Sequence, residues 1–209
     1  MIPLQELATF TLAALLIGLA PGPDNLFVLT QSALYGAKAG LQVILGLCTG
    51  LLVHLLMVFM GVAVLVQTSV VALTVLKIIG ALYLLSLAWQ TLRAVQPKSN
   101  DLKQNKVSAY QLYRRGIIMN VTNPKVLLFF LAFLPQFLQP ETGSLAMQIS
   151  LLGTLFILAT LFVFSAIALF AGKVGQLIRK SSSLVVLNRM AALVYTVLAV
   201  KLLTAELAA

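Results

Sequence analysis

Two charges stand inside apolar sequence, each directly behind a proline: Asp24 in Pro21-Gly22-Pro23-Asp24-Asn25-Leu26 and Lys125 in Thr122-Asn123-Pro124-Lys125-Val126-Leu127. A carboxylate and an ammonium in a low-dielectric setting have two uses. They can cancel one another as a structural ion pair, which offsets the cost of about 3 kcal/mol that an intramembrane charge carries on insertion scales. They can also hold a zwitterion, with Asp24 accepting a solute ammonium or a coupling proton and Lys125 taking the solute carboxylate, aided by positive half-helix N-termini. The two uses are compatible in different states of one transport cycle.

Polar residues near this pair complete the candidate binding set. Asn25 follows Asp24, and Asn120 and Asn123 lie three apart on one helical face beside Pro124. These amides can satisfy a broken backbone or contact solute. His54 shares a helical face with Gly46 and Gly50, a small-residue stripe of the kind that lets membrane helices approach closely, so the imidazole points into a helix bundle. A hydrogen-bonded structural histidine and a proton relay are both open to it. With Cys48 and His54 the single cysteine and histidine, neither a disulfide within the chain nor a metal site is expected, and no cofactor is implied.

The elements that carry these residues are membrane helices. Of the 209 residues 61% are hydrophobic and 9% charged, against roughly 25% charge in soluble domains, and the mean hydropathy is +1.05. Apolar stretches run Leu4–Tyr35, Ala39–Val66, Val70–Leu92, Gly116–Leu138, Ala146–Ala171 and Leu187–Leu203. A span needs about 20 such residues, so the chain reads as an all-α membrane protein of six transmembrane helices, one transporter domain over 1–209. The net charge of +9 does not point to nucleic acid, because the basic residues lie in joints without interleaved aromatics. No Ser/His/Asp arrangement or paired intramembrane carboxylates suggest an enzyme. Leu12–Ala20 does not read as a cleaved signal, since Met1–Gln5 lacks Lys and Arg and Pro21 blocks cleavage after Ala20.

Pro21, Gly22 and Pro23 cannot continue a helix interior. The first helix is therefore expected to break there, and the fourth at Pro124. Unbroken, Leu4–Tyr35 would measure about 48 Å at ~1.5 Å per residue, well beyond a hydrocarbon core of ~30 Å. Breaks free backbone groups that lipid cannot satisfy, so they belong where protein packs or a cavity is lined, and discontinuous helices are binding-site candidates. The stretch Leu127–Phe137, with Phe129, Phe130 and Phe133, reads as packing and lipid contact, with Pro135 kinking or ending the helix near the outer surface.

Lys and Arg collect in alternate joints: Lys38 in the first; Arg93, Lys98, Lys103, Lys106, Arg114 and Arg115 in the third (Arg93–Arg115); Lys173, Arg179 and Lys180 in the fifth. The positive-inside rule makes these cytoplasmic and both termini periplasmic, with Lys201 a mild counter-signal. The third joint divides the chain into three-helix halves of about 1–96 and 114–209, linked by a cytoplasmic loop 97–113. Such halves insert in opposite directions. The proline-then-charge match of the first and fourth helices fits a 3+3 inverted repeat, as does a weaker match of Lys77, Gly80 and Tyr83 to Arg189, Ala192 and Tyr195. In that second match each charge is expected to begin its helix and snorkel to the interface.

The chain resembles the lysine-exporter/homoserine-resistance (LysE/RhtB) family of amino-acid exporters. The strongest marks are Ala20-Pro21-Gly22-Pro23-Asp24 and Asn120-Val121-Thr122-Asn123-Pro124-Lys125, running on into Leu128-Phe129-Phe130 and Pro135-Gln136-Phe137. Supporting marks are Gly36 with Ala39-Gly40, Gly46-x-x-x-Gly50-x-x-x-His54 and Lys77-x-x-Gly80-Ala81-x-Tyr83-Leu84. One departure is that Asn188-Arg189 is followed by Met190, Ala191 and Ala192, where the family carries a glycine. The resemblance implies proton-driven efflux of amino acids, neutral ones foremost, or of their derivatives across the bacterial inner membrane. Amino acid, protons and the lipid bilayer would be the partners, with a homodimer an open assembly. An exporter of another small solute or cation is the competing reading, but a cation carrier would be expected to hold several intramembrane carboxylates, histidines or cysteines.

Overall fold

The computed structural model describes residues 2–68, 70–93, 108–171 and 181–204. Among these the regular elements are helices: α1 (Leu4–Leu19), α2 (Pro23–Tyr35), α3 (Ala37–Thr68), α4 (Val70–Arg93), α5 (Ala109–Val121), α6 (Pro124–Leu128), α7 (Leu145–Leu169) and α8 (Ser181–Thr204). α6 continues through a π-helical turn, Phe129–Phe133, and a 3-10 turn, Leu134–Phe137.

Both expected breaks are present. α1 and α2 bend by 60°, and α5 bends by 48° against α6 and its extension. The cause is local: a residue before proline is pushed out of the α region. Ala20 (ψ 123°), Gly22 (ψ 177°) and Asn123 (ψ 106°), which precede Pro21, Pro23 and Pro124, are all extended. Each second half-helix then starts with its proline at the first helical position, where no N–H is missed. Gly36, at φ 86° in the left-handed region that favours glycine, turns α2 into α3.

By length and apolarity, α3 (through Gly61) and α7 can each cross a membrane, and each bent pair can do so as one broken span, for two spans or up to four among the described residues. α4 and α8, of 24 residues each, pack on one another. α3 lies along α5 and α7, and α1 lies along α7. The α3–α5 crossing is close because a Cβ on Gly46 would lie 3.0 Å from the Cα of Gly116, and one on Gly116 would strike the carbonyl of Val43. Large apolar side chains such as Leu52, Leu56 and Met60 of α3 and Leu158 and Phe162 of α7 face outward, as a lipid-facing surface requires.

Three expectations are corrected. The third joint is helical from Ala109 on, because Ser108 and Gln111 form a reciprocal capping box that starts α5 ahead of its apolar part. Lys77 and Arg189 stand about two turns inside α4 and α8 rather than at their starts. Phe129, Phe130, Phe133 and Phe137 do not contact lipid: all are buried, stacked on one another and on Phe10 and Phe156. The π-helical turn accompanies this inward placement, and Gly80 of α4 accommodates it, since a Cβ there would lie 2.5 Å from that of Ala132. The basic residues Lys98, Lys103, Lys106, Lys173, Arg179 and Lys180 lie outside the described residues.

Candidate functional site

The two breaks meet. Lys125, second residue of α6, reaches across to the broken end of α1 and places its Nζ 3.1 Å from Oδ1 of Asp24, both side chains 5% exposed. The ammonium also donates toward Oδ1 of Asn25 at 3.4 Å and the backbone carbonyls of Ile17 at 3.4 Å and Ala20 at 3.3 Å. Three protons thus face four acceptors. The arrangement follows from helix ends: the last carbonyls of α1 have no partners within their helix and form its negative pole, which attracts a cation. Lys125 stands at the positive start of its own helix, an unfavourable place for an ammonium, so the α1 carbonyls and Asp24 hold it there.

Two further carbonyls at the first break also have partners. Asn25 donates its Nδ2 to the Gly18 carbonyl at 2.7 Å, and the Tyr195 hydroxyl of α8 donates to the Pro21 carbonyl at 3.3 Å. Gly22 lets the pair close, since a Cβ there would lie 2.5 Å from Asp24 Oδ1 and 2.9 Å from Lys125 Nζ. At the second break Asn123 caps α6, its Oδ1 accepting the Lys125 N–H at 3.0 Å. His54 Nε2 lies 3.0 Å from the Asn120 carbonyl and its ring stacks on Phe130.

Beside the pair is a cavity of about 20 Å³, lined by Asp24, Lys125, Asn120 and Thr160 and walled by apolar residues including Leu47, Leu51 and Phe156. That is room for about one water, against a few hundred Å³ for a typical ligand pocket. The cavity is therefore too small for an amino acid in this conformation.

The structure brings Asp24, Lys125 and Asn25 into one cluster, sets Asn120 on the cavity, and gives Asn123 a capping bond and His54 a bond behind Asn120. Pro21, Gly22, Pro23 and Pro124 form the breaks. Sequence reasoning did not assign Thr160, Tyr195 or the α1 carbonyls to the site. Tyr195 had a signal in its match to Tyr83, and Thr160 in being a hydroxyl within an apolar run. Among the described residues no group of three or more His, Cys, Asp and Glu could hold a metal.

A family model described as LysE type translocator matches residues 15–206. The chain belongs to the LysE translocator family. Two similar proteins, from Salmonella typhi and Salmonella typhimurium, are homoserine/homoserine lactone efflux proteins, each 31% identical over 180 residues, which is 86% of this chain and 87% of the relative. An uncharacterized membrane protein of Vibrio cholerae is 30% identical over 181 residues, 87% of this chain and 88% of its own length. No solved structure matches. This LysE translocator is accordingly a membrane transporter of the amino-acid efflux type and not an enzyme.

Proposed function

We propose that this translocator exports neutral amino acids and their small derivatives across the bacterial inner membrane, driven by protons, and that the solute ammonium takes the place held here by the Lys125 ammonium. The observation that carries the reading is the set of acceptors around Lys125 Nζ: Asp24, Asn25 and the carbonyls of Ile17 and Ala20. This is a ready-made primary-ammonium site in the membrane interior. Homoserine and homoserine lactone, which the Salmonella relatives are named for, share an ammonium, whereas only homoserine has a free carboxylate. A site built on the ammonium suits both. Lys125, once displaced, pairs with a carboxylate when the cargo has one. A proton arriving from the periplasm neutralises Asp24 and releases the ammonium.

In this reading α4 and α8 complete six spans, and the halves α1/α2–α3–α4 and α5/α6–α7–α8 form an inverted repeat. Two features support the repeat. Both second half-helices begin with proline and then a charge, and the contact of α3 with α5 has its counterpart in that of α7 with α1. Alternating basic joints support periplasmic termini. His54 is assigned to positioning Asn120 rather than to proton relay, since its Nε2 engages a backbone carbonyl. Proteoliposomes loaded with labelled homoserine test the reading. Release should quicken under an inward proton gradient and be slowed by homoserine lactone, but not by N-acetylhomoserine, which has no ammonium. Equal competition by the acetylated compound would contradict ammonium exchange.

A further inference from the structure

We infer that Asn120 and Thr160 form a subsite that recognises a hydroxyl on the cargo side chain. The inference rests on the export reading, in which Asp24 and Lys125 engage the cargo's ammonium and carboxylate. The remaining lining must then face the side chain. It carries no charge: Leu47, Leu51 and Phe156 are apolar, and Asn120 and Thr160 are neutral polar groups. A charged side chain would be desolvated there without a counter-ion, whereas a neutral one with a single hydroxyl would find apolar contact and polar partners.

Asn120 supplies the more specific observation. It is 3% exposed, it lines the cavity, and its Oδ1 has no hydrogen-bond partner among the described residues. Its backbone is fixed from one side, where its carbonyl meets His54 Nε2 at 3.0 Å. Its side chain lies over Gly50, where a Cβ would come within 2.6 Å of the Asn120 Cβ and 2.9 Å of Oδ1. A buried amide oxygen left unpaired is costly, and this one belongs to a side chain that lines the cavity. Thr160 of α7 is 6% exposed and lines the same cavity. An amide offers an acceptor and donors, and a threonine hydroxyl offers both, so a cargo hydroxyl can donate to one and accept from the other. A site built this way discriminates strongly against an analogue with no side-chain oxygen at all, because its own polar groups would then stay unpaired, whereas the lactone keeps a ring oxygen that can accept from them.

The test compares homoserine with 2-aminobutyrate, the same amino acid without its hydroxyl, in proteoliposomes of the full chain. The wild type should favour homoserine about tenfold or more at subsaturating concentration, a factor of the size expected for one well-made hydrogen bond. Thr160→Val and Asn120→Leu should each bring the ratio toward one, and Thr160→Ser should retain it. For a variant too slow to transport, thermal stabilisation of the purified protein by each amino acid gives the same ratio. A wild-type ratio near one overturns the subsite while leaving export intact, and so does an unchanged ratio in both variants, including equal slowing of both cargoes. Wild-type vesicles that move neither amino acid contradict the export reading itself.

Discussion

Gly22→Ala places a single methyl group against the ion pair, and its effect can be worked from geometry. The backbone at Gly22 is extended (φ −150°, ψ 177°), which alanine adopts freely, so any loss comes from contact alone. The added Cβ would lie 2.5 Å from Asp24 Oδ1 and 2.9 Å from Lys125 Nζ, short of the 3.4 Å where ordinary contact begins by 0.9 and 0.5 Å. Both charged groups must retreat. If their separation grows from 3.1 Å to about 4 Å, the Coulomb term at an effective dielectric constant of ~20 weakens by about 1 kcal/mol. The charge-assisted hydrogen bond, worth about 1.5–3 kcal/mol, is lost in part. A total of about 2 kcal/mol corresponds to a roughly 30-fold change in a rate that depends on this pair re-forming in each cycle. The assay is the initial rate of homoserine efflux from vesicles, normalised to inserted protein. Gly61→Ala, whose Cβ meets nothing within 4 Å, is the control and should be silent. Efflux from Gly22→Ala within twofold of wild type would refute the reasoning.

Gly116→Ala should separate α3 from α5, because its Cβ meets backbone of Val43, Gly46 and Leu47 that cannot yield. The expected loss is about 1–3 kcal/mol, read as a lowered unfolding midpoint in detergent; an unchanged midpoint would show that the crossing is looser. Tyr195→Phe leaves the Pro21 carbonyl at the break without its hydroxyl donor, and should cost about 1–3 kcal/mol of stability in the same assay; wild-type stability would show that the carbonyl has another partner. If one neutral amino acid leaves per proton entering, a potential of 100 mV, worth ~2.3 kcal/mol per charge, sustains a cargo gradient of about 50-fold at equal pH. Collapsing that potential with a protonophore should remove the gradient, and its persistence would exclude proton coupling.

The breaks were legible from residue chemistry because proline and glycine act locally, whatever surrounds them. The meeting of Asp24 and Lys125 was legible because the same proline-then-charge pattern recurs in both halves, and neither charge can face lipid. The facing of uniformly apolar helices was not legible. Lipid is as apolar as a protein core, so the pattern that buries Phe129, Phe130 and Phe133 inside the bundle reads the same as one that exposes them. The start of α5 was hidden because Ala109–Arg115 is polar, and its Ser108/Gln111 cap stands ahead of the apolar run. The carbonyls of Ile17 and Ala20 were beyond reach for another reason: backbone acceptors have no letter in a sequence, and only the bend of α1 shows where they point. Thr160 and Tyr195 become site residues only once α7 and α8 are packed against the breaks.

The central claim is that Asp24, with the carbonyl end of α1, forms an ammonium site that Lys125 and the cargo occupy in turn. The most direct measurement is efflux of preloaded labelled homoserine from vesicles carrying Asp24→Asn, Lys125→Met, or the double swap Asp24→Lys with Lys125→Asp. Breaking a buried pair typically costs about 3–5 kcal/mol, so each single variant should insert yet lose about 100-fold or more in efflux. The double swap should not recover, because it would direct a carboxylate at the carbonyls of Ile17 and Ala20 that now accept from Lys125. Recovery in the swap would reduce the pair to a structural tie, and wild-type efflux in both single variants would contradict the account outright.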